Sequence, residues 1–301
     1  DEAIKCNRDF DGIVIGGGGL LLKDQTGSDV SNSGWQWNST IEALQTIKIP
    51  VFVFAIGYNR FRGQPEFESV FSNHIRLLVD KSSFFGLRNN GSIKALKNYL
   101  LQKQSCSLKR QFCPTTVLWQ LYPKYRRLAQ EHDLKFNKTF VFNAAFDRTK
   151  LRFGSNPDVT LNNIATAIKD VESRGWRIVI AAHKSMDRDI EPFLLQNSVN
   201  FETVDLTFAS PAKIMEFYSQ VDFVFGMRGH AQMIPFGLRR PIFSLISHDK
   251  MRFFLDDIGH PEWGVEINSP KLSIRLNHAL KQVEERRNQI HLEISESQTK
   301  V

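Results

Sequence analysis

Short apolar runs alternate with amphipathic stretches along most of the chain, and polar or charged turns separate them. The runs Phe10–Ile15, Val51–Ile56, Ser83–Leu87, Lys138–Asn143, Arg177–Ala182, Phe201–Asp205, Phe223–Phe225 and Pro241–Ile246 are short and β-leaning, which predicts buried strands. The run VFVFAI at 51–56 is apolar throughout, as in a parallel sheet buried on both faces. Helical spacing appears between these runs, in Trp35–Ile47, Glu66–Val79, Val159–Ser173, Arg188–Gln196, Pro211–Ser219, Ala231–Phe236 and Met251–Ile258. Ser92 is placed to cap a further helix carrying Ile93, Leu96 and Leu100, and Pro211 opens its helix at the first turn. Leu272, Leu276, Leu280 and Val283 make a long amphipathic terminal helix, after which Asn288–Val301 is expected to fray.

The alternation comes in two blocks. Regularity fades from Gln102 to Lys135, where Pro114, Pro123, Cys106, Cys113 and a run of Lys and Arg mark the domain boundary. The pattern predicts an α/β protein of two doubly wound, Rossmann-like domains facing across a cleft. The expected division is 1–125 for the first domain, 136–268 for the second, and 269–301 for the terminal helix and tail.

At 301 residues, 42% hydrophobic and 24% charged, the chain has the composition of a globular protein with enough length for two cores. A formal charge of +7 favours an anionic partner. The basic residues are dispersed and no nucleic-acid motif is present, so DNA and RNA are not expected partners. No apolar run approaches the roughly 20 residues that span a bilayer, and no secretory signal pattern is present. Both point to the cytoplasm. Three cysteines form neither an even disulfide framework nor a metal-type spacing, so they read as isolated thiols in a reducing compartment. The sequons at Asn38, Asn90 and Asn137 carry little weight without a secretory signal.

Candidate chemistry concentrates at predicted strand ends. From Val221 to Gly259 the chain reads strand, charged turn, helix, strand, charged turn, helix. In a parallel sheet both turns lie at the carboxyl ends of their strands, where ligands bind. The first carries Arg228, Gly229 and His230, and the second Ser247, His248, Asp249 and Lys250. Helix-start N–H groups beside Arg228 and Lys250 suit an anion. His183 and Lys184 follow an earlier strand in the same way, and Arg88 follows Ser83–Leu87. Gly16, Gly17, Gly18 and Gly19 follow the first strand without a Walker A lysine or a dinucleotide fingerprint. They are either a strand-end loop open to a ligand or a site of close packing.

These residues resemble the polysaccharide pyruvyl transferase family, whose two-domain fold is similar to that of GT-B glycosyltransferases. The resemblance is carried by GGGGL with Asp24 shortly after, IPVFVFAIG, FGLRNNGS, and above all GMRGH followed by IPFGLRRP and SHDKM. It implies transfer of the enolpyruvyl carbons of phosphoenolpyruvate to a sugar as a ketal, in cell-surface polysaccharide biosynthesis. It also implies that Arg88, Arg228 and His230 contact phosphoenolpyruvate, with a looser claim for Lys250. Family members begin with a further strand and a loop carrying Asn and Gly-Asp. Neither precedes Phe10, and the sequence starts at Asp1 without Met, so part of the first domain is expected to be absent or different.

On that reading Arg88 and Arg228 clamp the donor's carboxylate and phosphate across the cleft, since a guanidinium fork matches either oxyanion. His230 is the candidate acid/base, or else it hydrogen-bonds the phosphate. Lys250 and His248 would hold the departing phosphate, oriented by Asp249 or Asp256. His183, Gly17, Gly18 and Asp24 complete the candidate binding set. Neither a metal nor a cofactor is expected. The acceptor would be a lipid-linked or nucleotide-linked saccharide, the first implying peripheral association at the inner membrane face. Arg228→Ala is expected to abolish transfer and leave the fold intact. Rival readings remain. The spacing of His230, Pro235, Gly237 and Pro241 is similar to the phosphate-binding segment of nucleotide-sugar glycosyltransferases, and Asp249 and Asp257 fall where their paired acids stand. A sugar-nucleotide epimerase and a non-catalytic polysaccharide- or lipid-binding protein are the others. Arg228 is the discriminator, because a nucleotide-sugar site needs no Arg immediately before the Gly-His pair.

Overall fold

A computed structural model describes residues 2–23 and 29–300. The chain forms two compact units, one ending at Cys113 and the next beginning at Pro114, so the division falls inside the irregular stretch. In the first unit β1 (Ile13–Leu21), β2 (Val51–Tyr58), β3 (Ser82–Leu87) and β4 (Leu108–Arg110) lie side by side in chain order, all parallel. Ile15, Val53, Phe85 and Leu87 pack with Leu44, Phe71, Ile75, Leu78 and Leu96 from the helices Ile41–Thr46, Ser69–Lys81 and Asn90–Lys97.

The second unit carries β5 (Thr139–Asn143), β6 (Arg177–Ala182), β7 (Phe201–Asp205), β8 (Phe223–Gly226), β9 (Ile242–Ile246) and β10 (Gly264–Glu266). They are parallel, in the order β10-β9-β8-β5-β6-β7. Counted from β5, this is the doubly wound order 3-2-1-4-5-6, which reverses direction between β5 and β8. Every residue of β5, β8 and β9 is buried, with Phe140, Phe142, Phe223 and Phe225 packed together on one face and Val141 and Val224 on the other. The fold class is therefore α/β with two parallel, Rossmann-like sheets. No helix among the described residues is long and apolar enough to cross a membrane.

The elements depart from the sequence pattern in several places. The helix Glu2–Asp9 occupies the start, and β1 begins at Ile13 and runs through all four glycines instead of ending before them. Gly17 and Gly18 hold φ of 82° and 94°, and the pairing with β2 slips between Gly18 and Leu21. The helix expected from Trp35 starts only at Ile41. Thr40 caps it by accepting from Ala43 N at 3.0 Å, while Trp35 and Trp37 pack edge-on against buried His74.

The terminal segment is docked, not frayed. The helix Leu272–Gln298 breaks its geometry at Arg286 (φ −132°), and beyond the break Ile290 and Ile294 are buried. Gln298 donates to Thr116 O (3.0 Å), Phe236 O (2.9 Å) and Gly237 O (3.2 Å), and accepts from Arg239 Nε at 3.1 Å. A polar residue that spacing alone sends to solvent thus satisfies backbone carbonyls at the end of the helix His230–Gly237.

Candidate functional site

In the second unit, the carboxyl ends of β5, β6, β8 and β9 share one charged network, at the sheet's switch point. Asn143, the last residue of β5, ties them together. Its carbonyl accepts from Met227 N at 2.9 Å and its Oδ1 from Arg228 N at 3.3 Å, fixing the turn after β8. Its Nδ2 donates to Ala181 O at 2.7 Å, reaching across to β6. Asp187, fully buried in the turn after β6, accepts from His183 N (3.0 Å) and Lys184 N (3.1 Å).

Arg228 is spent inside this network. Its Nε donates to Asp187 Oδ2 at 2.8 Å and its Nη2 to Asp187 Oδ1, while Nη1 lies 2.9 Å from Asp147 Oδ1. Only 14% of its side chain is exposed. Burial works against the charge, but Asp187 and Asp147 outweigh it and raise the guanidinium pKa further. Arg228, expected to clamp a donor, meets two carboxylates of its own unit. These contacts give Arg228 a share in holding the turn after β8.

Asp147 is ringed by guanidinium groups. Arg148 Nη1 and Arg152 Nη2 each donate to Asp147 Oδ2 at 2.9 Å. Burial would raise its pKa, yet Arg152, Arg228 and Arg148 hold it well below the usual carboxylate range. Arg152 continues to the turn after β9, where Nη1 donates to Ser247 Oγ at 2.8 Å and lies 3.4 Å from His248 Nδ1. His248 is thus a buried member of the framework. His183 is another: its Nε2 pairs with Tyr218 OH at 2.7 Å, and burial lowers its pKa to about 4.

His230 and Lys250 differ from these framework groups. His230 is exposed at the first position of the helix His230–Gly237. Lys250 stands in the first turn of the helix Asp249–Ile258, with its ammonium end against Gly229. A Cβ on Gly229 would come within 2.9 Å of Lys250 Cε and 3.3 Å of Nζ. The turns after β8 and β9 therefore meet, and two helix N-termini and a lysine share one place. Gly237 has a different role, since a Cβ there would sit 1.9 Å from Thr115 O. Among the described residues no group of three His, Cys, Asp or Glu could hold a metal ion.

Arg88 follows β3 in the first unit and is 3% exposed. Its N donates to Ile56 O at 3.0 Å, but Nε and Nη2 have no hydrogen-bond partner. Burial pushes its pKa down to about 10, so it stays charged at neutral pH. Nothing stands within 4 Å of where a Cβ of Gly17 or Gly18 would be. Asp24 lies outside the described residues. Asn143, Asp147, Arg152, Asp187 and Tyr218 escaped the sequence reading. Acidic residues just past strand ends, Asp147 and Asp187, were the usable signal.

The sequence profile of a family described as polysaccharide pyruvyl transferase matches residues 2–249. The chain belongs to this family. The matched span of this polysaccharide pyruvyl transferase family member takes in Arg88, Arg228, His230 and His248, and stops one residue short of Lys250. No curated protein matches the sequence. In fold it is similar to UDP-GlcNAc 2-epimerase from Neisseria meningitidis bound to UDP-GlcNAc, at 13% identity, covering 97% of this chain and 73% of that one, with a TM-score of 0.57. The epimerase from Methanocaldococcus jannaschii gives 13% identity, 94% and 74% coverage and a TM-score of 0.58. A glycosyltransferase from Rickettsia africae gives 11%, 98%, 75% and 0.52. At such identities the likeness is one of fold, the GT-B type.

Proposed function

We propose that this family member transfers the enolpyruvyl group of phosphoenolpyruvate to two hydroxyls of a saccharide, forming a ketal and releasing phosphate. The observation that carries the proposal is the seating of Lys250 against Gly229, which sets an ammonium beside the helix start bearing exposed His230. The family match to residues 2–249, which takes in His230, supports pyruvyl transfer as the chemistry.

In the reaction His230 protonates the donor's methylene carbon, which becomes the methyl group of the ketal. One saccharide hydroxyl oxygen bonds to the adjacent carbon as positive charge develops there. The carbon–oxygen bond to phosphate then breaks, and a second hydroxyl oxygen closes the ring. Of the two hydroxyl protons, one balances the proton used at the methyl and the other leaves with phosphate. Lys250 and the two helix N-termini stabilise that leaving phosphate. Arg228, held by Asp187 and Asp147, positions the turn that carries His230 instead of touching the donor. Arg88, buried with two unused donors, is a candidate cation for an oxyanion within the first unit. The acceptor is a lipid-linked or nucleotide-linked saccharide at the cytoplasmic side, and the +7 charge suits such an anionic carrier.

His230→Gln tests the acid/base role. Its kcat should fall about a hundredfold or more with KM little changed. A raised KM with kcat intact would make His230 a phosphate ligand only. Lys250→Met should lose both.

A further inference from the structure

The positive charge of the chain is concentrated in one stretch. Residues 81–130 hold ten Lys and Arg and no Asp or Glu. The rest of the chain, with 29 basic and 32 acidic side chains, is net acidic, so the whole excess of +7 comes from this stretch. Such segregation makes a field that attracts an anionic partner.

Within the second unit the stretch builds a corner. The short helix Leu118–Leu121 ends, Pro123 opens the helix Pro123–Asp133, and Tyr122 joins them at φ −129° and ψ 88°. Backbone bonds hold the corner from both sides. Tyr122 N donates to Leu118 O at 2.9 Å, and Tyr125 N and Arg126 N donate to Tyr122 O at 3.1 and 3.2 Å. Leu118, Tyr125 and Ala129 are buried, while Leu121 and Tyr122 are 53% and 45% exposed. A lone exposed leucine needs no explanation. Two adjacent large apolar side chains fixed at a corner among cations do.

Those cations come from the helix and from the turn before β9. Lys124 and Arg127 are both exposed and share one helix face. Lys124 Nζ lies 5.4 Å from the ring centre of Tyr125, and that ring meets Tyr122 edge-on at 6.0 Å. Arg239 stacks over Trp119 at 4.6 Å, and burial together with nearby Arg126 lowers its pKa. Arg127 meets Glu131 at 4.0 Å, but both side chains are mostly exposed and the pairing is weak. Trp, Tyr and Leu beside Lys and Arg is the composition that suits the boundary between water and lipid headgroups.

We propose that this corner of the second unit docks on a membrane surface rich in anionic lipid. Leu121 and Tyr122 enter the headgroup layer, and Lys124, Arg126 and Arg127 face the anionic headgroups. A nucleic acid would answer the same charge but has no apolar layer to cover Leu121. The inference stands apart from pyruvyl transfer, because membrane binding is read without any substrate.

Flotation of the full chain with vesicles of phosphatidylcholine, alone or mixed with phosphatidylglycerol, tests it. The chain should float with the mixed vesicles, be released by high salt, and bind the neutral ones at least about tenfold more weakly. Lys124→Gln combined with Arg127→Gln should lower partition into mixed vesicles about thirtyfold. Leu121→Ser combined with Tyr122→Ser should lower it about tenfold or more. Both double variants should melt near the wild type, since the altered side chains are exposed. Wild-type partition in either double variant, equal binding to neutral vesicles, or no binding to mixed vesicles overturns the proposal. Binding of a DNA duplex without vesicle binding overturns it as well and makes the stretch a nucleic-acid surface. Vesicle binding by a chain that transfers no pyruvyl group would leave the docking surface standing and sink the transferase, and transfer without vesicle binding would do the reverse.

Discussion

Arg88 and Arg228 stand just past the carboxyl ends of parallel strands, one in each unit, and their surroundings are opposite. Arg228 meets Asp187 and Asp147, and its turn is held by Asn143. Arg88 is more deeply buried and has two nitrogens with no partner. The second unit has satisfied its arginine and placed it in a framework, whereas the first keeps its arginine uncompensated. A buried charge that the fold has paired serves structure. One that the fold leaves unpaired lowers stability and is ready for an anion.

The largest expected effect comes from breaking the satisfied side. Asp187→Ala strands the Arg228 guanidinium and frees two backbone N–H groups, so urea unfolding should show a loss of about 3–5 kcal/mol. Arg228→Ala should cost nearly as much, by leaving fully buried Asp187 unpaired. Wild-type stability in either variant would mean the network is not what holds the turn. Arg88→Met sharpens the contrast. It should lower oxyanion affinity about a hundredfold or more while leaving the melting temperature equal or higher, because an unpaired cation leaves the interior.

Acid should erode both units. Burial holds His74 in the first unit, and His183 and His291 in the second, at pKa values of about 4, against 6.5 for an ordinary histidine. Between those values the unfolded chain binds more protons than the folded one. Stability is therefore full above about pH 6.5 and is lost as pH falls toward 4, by up to about 1.4 kcal/mol per pH unit for each histidine. A melting temperature flat from pH 7 to 4.5 would contradict this. Ser247→Ala removes one hydrogen bond to Arg152 and should cost about 1 kcal/mol, the smallest of these effects.

Strand placement was legible because the runs of the second sheet are short, buried throughout and dominated by apolar residues, as in Phe140–Phe142 within Thr139–Asn143 and in Ile242–Ile246. The glycine run was harder to read. Local pattern puts four glycines in a loop, but pairing with β2 holds them as strand, and their use lies in residues about 40 positions away. The positions of His230 and Lys250 followed from strand–turn–helix order. The roles of Arg88 and Arg228 did not, because the difference is made by Asp147 and Asp187, tens of residues from Arg228 in sequence. The docking of Gln298 was hidden for the same reason, since its partners are backbone carbonyls of distant segments.

The most direct test is a thermal-shift titration of the wild type and Arg88→Met with phosphoenolpyruvate, UDP and UDP-GlcNAc. A ligand bound only by the native state raises the melting temperature. Phosphoenolpyruvate should stabilise the wild type and leave Arg88→Met unmoved, with the two proteins melting at similar temperatures when unliganded. Stabilisation by UDP or UDP-GlcNAc, with no response to phosphoenolpyruvate, would contradict pyruvyl transfer and point to nucleotide-sugar chemistry.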